Sequence, residues 1–235
     1  MRIMIKNVSF IIPVYNEQKR VFNIYNWIKW LEKNTVNCEL ILSLNGCNDD
    51  TENLVKKIKY KFLKCLISRK RGRGYAIIKA LKNTKKKYAC ICSIDNAWNK
   101  NFYISSYKKM QSDSKLFCIY GPKNHKDSKQ TRPLIRRVIS FFSMIFLRIL
   151  FLNYIKIDTQ CIKLFKTKRS FNKKLIPYNY FFDTQFFILN KKLKLKYEKL
   201  PVKVKDKNKN SKVKLTFIFE FIYEALHFKL QNYFK

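Results

Sequence analysis

The sequence predicts an α/β fold, a single domain built on a mostly parallel, mixed sheet flanked by helices. Three observations predict it. Short apolar runs of strand length alternate with stretches of helical periodicity from about residue 8 to residue 95. Polar or glycine-bearing segments follow each run, at the ends where a parallel sheet opens its ligand crevice. The chain has 235 residues, 47% of them hydrophobic, with no repetitive or Pro/Ser-rich stretch, which suits one well-formed core.

Taken in order, residues 8–14 (VSFIIPV) form a buried-strand run stopped by Pro13. Residues 21–33 place apolar side chains at 21, 24, 28 and 31, a helical stripe. Residues 39–44 (ELILSL) are the next strand, turning at Asn45-Gly46, after which Asp49 and Glu52 stand at capping-box spacing before a helix over 53–60. A short strand at 65–68 and a helix over 75–83 follow. Residues 88–94 (YACICSI) then deliver Asp95 at a strand's carboxyl end. The apolar stretch 138–155 carries Arg148 near its middle, which argues against a membrane-spanning helix. With Arg132, Arg136, Arg137 and Lys156 around it, this stretch reads either as one or two helices lying among lipid headgroups or as a helix of the ordinary core. Residues 215–230 put 215, 218, 219, 222, 225, 226 and 230 on one helical face, expected to pack on the domain.

Composition narrows the function classes. Lys+Arg 51 against Asp+Glu 15 gives a net charge of +36, yet Lys, Asn, Ile, Phe and Tyr, all spelled by A/T-rich codons, make up more than half of the chain. Codon drift therefore accounts for most of the charge, although a basic surface attracts phosphates whatever its origin. Seven scattered cysteines without a CxxC pair indicate neither a disulfide framework nor a zinc site and fit a reducing, cytoplasmic setting. Two histidines leave little material for His-dependent triads. No signal-peptide layout opens the sequence.

Glycine is the sharper clue. Only four remain, Gly46, Gly72, Gly74 and Gly121, and each is expected where the backbone needs positive φ or a close approach. The loops at the strand ends gather Tyr15 and Glu17, Asn45 to Asp50, Arg71 to Gly74, and Asp95. RGRG ahead of a helix offers backbone N–H groups and guanidinium forks to an anion, and an Asp at a neighbouring strand end suits a divalent cation bridging a diphosphate.

These motifs, in this order, resemble the family-2 glycosyltransferases with the GT-A fold and, within them, the dolichyl-phosphate mannose and glucose synthases. IIPVYNE (11–17) is similar to the family's first-strand signature, and LNGCNDDT (44–51) to its Asp-Gly-Ser-Thr-Asp-Gly-Thr turn. KRGRGYA (70–76) resembles its Asn-x-Gly-Lys-Gly-x-Ala loop and SIDNA (93–97) its Asp-x-Asp region. PLIRRVIS (133–140), IDTQCIKLF (157–165), FFDTQ (181–185) and LPVKV (200–204) resemble the subgroup's acceptor helix, Asp-Thr-Gln-Cys-Gly-Phe-Lys loop, Phe-Asp-x-Glu segment and Glu-x-Pro-Val strand.

The resemblance implies an inverting hexosyltransferase that moves a sugar from GDP-mannose or UDP-glucose to a polyprenyl phosphate. It would work as a peripheral protein on the cytoplasmic face of a membrane, with residues 1–213 as the catalytic domain, 132–156 as acceptor and interface helices, and 214–235 as a C-terminal amphipathic helix. Pro13, Tyr15, Glu17, Asn45, Gly72, Arg73 and Gly74 would bind the donor. Lys123, Arg132, Arg136 and Ser140 would meet the acceptor phosphate. Asp95, Asp158, Gln160 and Asp183 would serve catalysis, with Asp95 and Asn99 holding Mg²⁺ or Mn²⁺. Three departures stand against the pattern: Ala97 replaces the second Asp of Asp-x-Asp, Cys161-Ile162-Lys163 has lost a glycine-bearing position, and Gln185 replaces a Glu. They keep a non-catalytic GT-A protein as one alternative. A basic nucleic-acid binder, supported only by the Lys-rich segments 56–87 and 191–214, is the other, and no nucleic-acid partner is expected.

Overall fold

The structure, a computed structural model, describes residues 3–95, 99–122, 134–152, 161–202 and 215–233. The elements run β1 (Ile5–Lys6), β2 (Val8–Val14), a 3-10 turn (Gln18–Arg20), α1 (Asn23–Asn34), β3 (Thr35–Val36), β4 (Glu39–Asn45) and α2 (Thr51–Lys56). They continue through β5 (Leu63–Ser68), α3 (Arg73–Asn83), β6 (Tyr88–Ile91), α4 (Asn101–Ser112), β7 (Leu116–Gly121) and α5 (Leu134–Leu150). The last are β8 (Ile162–Lys166), α6 (Arg169–Asn172), α7 (Phe182–Lys192), β9 (Lys196–Lys199) and α8 (Leu215–Tyr233).

Seven strands form one sheet in the order β5-β4-β2-β6-β8-β7-β9, while β1 and β3 pair separately. β2 runs parallel to both β4 and β6, and only β8, antiparallel to β6 and β7, opposes the common direction. β2, β4, β6 and β7 are buried along nearly their whole length, as strands covered on both faces must be. Alternation along β2 divides the core. Phe10, Ile12 and Val14 face a layer with Trp27, Leu31 and Tyr103, whereas Ile11 faces a layer with Ile77, Phe165, Phe181 and Phe186. In the first layer Phe10 meets Tyr103 edge-on at 5.6 Å and Trp30 at 5.8 Å, contacts worth about 0.5–1.5 kcal/mol each beyond the area they bury.

Differences from the expected elements are local. β6 ends at Ile91, and the last bond to β2 runs from the Cys92 amide to the Ile11 carbonyl at 2.7 Å. α2 begins at Thr51 and ends at Lys56, before the lysines that follow. The expected capping box does not close: Asp49 Oδ1 accepts the Thr51 amide at 3.1 Å, but Glu52 turns to Lys56 one helical turn on.

At the amino end of the sheet the buried Glu39 takes hydrogen bonds from Ser9 (2.6 Å) and Thr84 (2.8 Å) and an ion pair from Lys64 (2.5 Å). Burial pushes this carboxyl up, yet the three partners together hold it below its ordinary value of 4.5. A depressed folded pKa contributes stability that is present above the ordinary value and lost as pH falls through the folded one. Urea unfolding at stepwise pH should show stability declining below pH 4.5. Glu39→Gln should flatten that decline while costing about 1–3 kcal/mol at pH 7; an unchanged acid limb would remove Glu39 from this role.

Candidate active site

The strand order turns the carboxyl edge of the sheet into a crevice. From β2 the chain grows outward through β4 to β5, then returns to lay β6 on the other side of β2. Loops leaving β2 and β6 therefore part at the point where the order reverses.

Asn45, buried at the end of β4, ties these loops together. Its Nδ2 donates to the Val14 carbonyl at 2.8 Å, and its Oδ1 accepts the Gly72 amide at 3.1 Å. The loop after β2 is cross-linked to the loop after β4: Asn16, at φ 51°, accepts the Asn48 amide at 3.0 Å, and the Glu17 amide donates to Thr51 Oγ1 at 2.7 Å. Tyr15 lies half-buried, with the Arg71 guanidinium 4.7 Å over its ring. Burial pushes the Glu17 carboxyl up against the pull of Arg20, and the charges of Asp95 and Asp49 push the same way, so these carboxylates share the field of one crevice. Pro13 is half-buried in β2.

Helix α3 opens on this crevice two residues earlier than the periodicity predicts. Gly72 adopts φ 140°, a backbone state that side chains rarely tolerate, and its carbonyl accepts the Ala76 amide at 3.0 Å as the first helical bond. At Gly74 the constraint is space, because a Cβ there would run into the Tyr178 carbonyl oxygen and the Phe182 ring. The Arg73 amide donates to Asn179 Oδ1 at 3.0 Å, and its guanidinium pairs with Asp183. Asp183 is itself 3% exposed and pairs through its other oxygen with Lys163, which is fully buried in β8 beside the rings of Phe186 and Phe187. Two residues expected on separate duties, Arg73 and Asp183, thus belong to one charge cluster.

Lys163 is a member of this cluster that the sequence reading missed. The available signal is a lone cation inside the apolar run CIKLF and a lone acid inside FFDTQFFIL, each of which must find the other once buried. Gln185, expected as a lost carboxylate, has a backbone role here. Buried, it donates through Nε2 to the Ile176 carbonyl (2.5 Å) and accepts the Ile176 amide through Oε1 (3.0 Å), a two-way contact that an ionised carboxylate cannot make.

Asp95 is half-buried just beyond β6 and accepts the Ser93 hydroxyl at 2.6 Å. Asn99 Oδ1 accepts the Asn101 amide at 2.9 Å in an Asx turn at the entry to α4. Among the described residues no group of three or more His, Cys, Asp or Glu is arranged to hold a metal ion. Lys123, Arg132, Asp158 and Gln160 lie outside the described residues, as does Ala97; Arg136 lies in α5, and Ser140 is exposed on it.

α5 is not the fully buried helix that one reading of 138–155 allowed. Leu147, and Phe151 just beyond its end, are buried, but Val138, Phe141, Phe142, Ile145 and Ile149 form an exposed stripe continued by Leu152, with Ile149 72% exposed. α8 packs on the domain through Ala225 and Phe228, while Phe219, Tyr223, Leu226 and Leu230 stay exposed. The packed face is therefore rotated from the expected one, which included 219, 226 and 230. Among the described residues no helix is long and apolar enough to cross a membrane.

Comparison with known proteins bears on this geometry. The family described as "Glycosyl transferase family 2" matches residues 9–195. A curated relative, the dolichyl-phosphate beta-glucosyltransferase ALG5D of Trichomonas vaginalis, is 25% identical over 213 residues, covering 83% of this chain and 64% of its own length. The chain thus spans slightly less than two thirds of that relative. Glucosyl-3-phosphoglycerate synthase from Mycobacterium tuberculosis, solved with Mn²⁺, UDP and glucosyl-3-phosphoglycerate, superposes with TM-score 0.67 at 14% identity over 96% of this chain and 79% of that one. The same enzyme with Mn²⁺, UDP and phosphoglyceric acid gives 0.69 at 14%, over 96% and 78%.

The buried cluster makes its own prediction. Lys163→Met removes the buried cation of a dehydrated carboxylate and leaves Asp183, of these two cations, only the more exposed Arg73, which should cost about 3 kcal/mol in urea unfolding, whereas adding Asp183→Asn should recover part of that loss. Simple additivity of the two substitutions would show that the pair is not coupled.

Proposed function

The chain belongs to the family-2 glycosyltransferases and has the GT-A fold, and from that premise we propose that it transfers a hexose from a nucleotide sugar to a polyprenyl phosphate at a membrane surface. The observation that carries the donor half is the Gly72–Arg73–Gly74 opening of α3, tied by Asn45 to the ends of β2 and β4 at the switch point. The Gly72 and Arg73 amides are held by Asn45 and Asn179, so the positive end of the α3 dipole and the Arg73 guanidinium are what would stabilise the charge of a departing diphosphate. Tyr15, Glu17 and Pro13 flank the space where base and ribose would lie. Asp183 serves this reading by holding Arg73.

A divalent cation fits the residues present. Asp95 offers one carboxylate in a field shared with Glu17 and Asp49, and Mg²⁺ or Mn²⁺ commonly takes one or two carboxylates and completes its shell with substrate phosphate oxygens and water. Asn99 Oδ1, which already accepts the Asn101 amide, has a second lone pair that would join such an ion. When bound, such an ion would neutralise charge on the leaving diphosphate.

The acceptor half rests on α5, on the resemblance of 133–140 and 157–165 to the dolichyl-phosphate subgroup, and on the named activity of the curated relative. An acceptor phosphate is already an anion near neutral pH, so its oxygen attacks the anomeric carbon without a general base while the bond to the diphosphate breaks. A single displacement inverts that carbon, as is typical of the family. Lys123, Arg132, Arg136 and Ser140 would orient the acceptor, and Asp158 and Gln160 would line the sugar. The exposed stripe of α5, with Arg148 also outward, suits headgroups of an anionic leaflet.

The test is transfer of labelled sugar from UDP-glucose or GDP-mannose to dolichyl phosphate in anionic vesicles with Mn²⁺. Product should form and vanish with EDTA, Asp95→Asn should lower turnover about a hundredfold or more with the fold intact, and Phe141→Ser/Phe142→Ser should lose vesicle binding. No product from either donor would overturn the reading.

A further inference from the structure

The inner face of α8 does more than bury carbon. The Glu224 carboxylate accepts three consecutive backbone amides, those of Asn179 (2.6 Å), Tyr180 (2.9 Å) and Phe181 (2.9 Å). These are the donors just ahead of α7, which the helix itself cannot satisfy. One turn to either side, Glu220 accepts Asn179 Nδ2 at 3.2 Å, and His227 Nδ1 shares a hydrogen bond of 2.6 Å with the Tyr178 hydroxyl. A single face of α8 thus grips residues 178–181. Burial pushes the Glu224 carboxyl up, against the backbone amides that favour its ionised form.

The gripped segment is the one that abuts the anion-binding turn. Asn179 Oδ1 accepts the Arg73 amide at 3.0 Å, and the Tyr178 carbonyl fills the space that only a glycine at 74 leaves open. The chain of contacts is therefore Glu224 to the 179–181 backbone, Asn179 to Arg73, and Arg73 to the first turn of α3. We propose that Glu224 is a positioning residue for the donor site, acting through Asn179 to fix the backbone at Arg73, and with it the opening of α3 and the Arg73 guanidinium, beside the nucleotide diphosphate. The proposal rests on the donor reading above, and it gives the C-terminal helix a part in donor binding although it lies far along the chain from every donor loop.

Glu224→Gln keeps the shape of the side chain but leaves one acceptor oxygen for three amides. Amide hydrogen exchange followed by NMR, affinity for UDP-glucose and GDP-mannose with Mn²⁺, and melting temperature are measured on the full chain. Exchange at the Arg73 amide should accelerate, and donor affinity should weaken about tenfold, because small misplacements of a positioning group are amplified in this way. Asn179→Ala should do the same, and the double variant should be no worse than Asn179→Ala alone. A lower melting temperature with the Arg73 amide still protected and donor affinity retained would show a merely structural role and overturn the proposal, as would additive losses in the double variant. Should Glu224→Gln not fold, Asn179→Ala decides, because it leaves the Glu224 contacts to the backbone in place; retained donor affinity there overturns the proposal. If the wild type binds neither nucleotide sugar, the donor reading fails, and exchange at Arg73 in Glu224→Gln alone then judges the relay.

Discussion

A lysine with no access to water sits in the middle of the sheet, and the site is organised around its neutralisation. Lys163 in β8 and Asp183 at the start of α7 form a pair, and without Asp183 the lysine would be a bare charge in an apolar interior. Asp183 has a second oxygen, and that oxygen holds Arg73. One dehydrated carboxylate thus fixes the antiparallel strand, the helix behind the sheet and the guanidinium at the mouth of α3 with respect to one another. The substitution of Gln185 for the expected acid fits the same arrangement, since the amide clamps Ile176 without bringing another charge into α7.

Around this centre the loops at the carboxyl edge are braced from both sides. Asn45 binds the Gly72 loop to the ends of β2 and β4, while Asn179, held by α8, binds the same loop from behind. Helix α8 is apolar over most of its circumference apart from the face of Glu220, Glu224 and His227, so it packs one apolar side and presents another. Its exposed Phe219, Tyr223, Leu226 and Leu230, like the stripe on α5, make the faces turned away from the core as oily as those turned toward it.

Much of this was legible in the sequence because periodicity and glycine placement act locally. The strand runs at 8–14 and 39–44 and the turn chemistry of Gly72 follow from residues within a few positions of each other, whereas the need for glycine at 74 comes from Tyr178 and Phe182 far along the chain. What escaped depends on contacts between distant residues. Lys163 is one lysine among many until β8 buries it, and Glu224 reads as an ordinary surface acid until α8 docks on residues 179–181. The packed face of α8 was misassigned for a related reason: with apolar residues around most of its circumference, periodicity alone does not choose which of them meet the core. Asp49 and Glu52 have capping-box spacing, but Lys56 competes for Glu52 one turn away, and spacing carries no record of that competition.

The central claim is that the crevice at the switch point is a nucleotide-sugar site rather than a general polyanion surface of a chain with net charge +36. Thermal unfolding in the presence of UDP-glucose, GDP-mannose, inorganic phosphate or a random RNA oligonucleotide, each with Mn²⁺ and 0.3 M salt, separates the two. One nucleotide sugar at about a hundred times its Kd should raise the melting temperature by roughly 5–10 °C, with phosphate and RNA leaving it unchanged. Equal stabilisation by RNA, or none by either nucleotide sugar, would contradict the account.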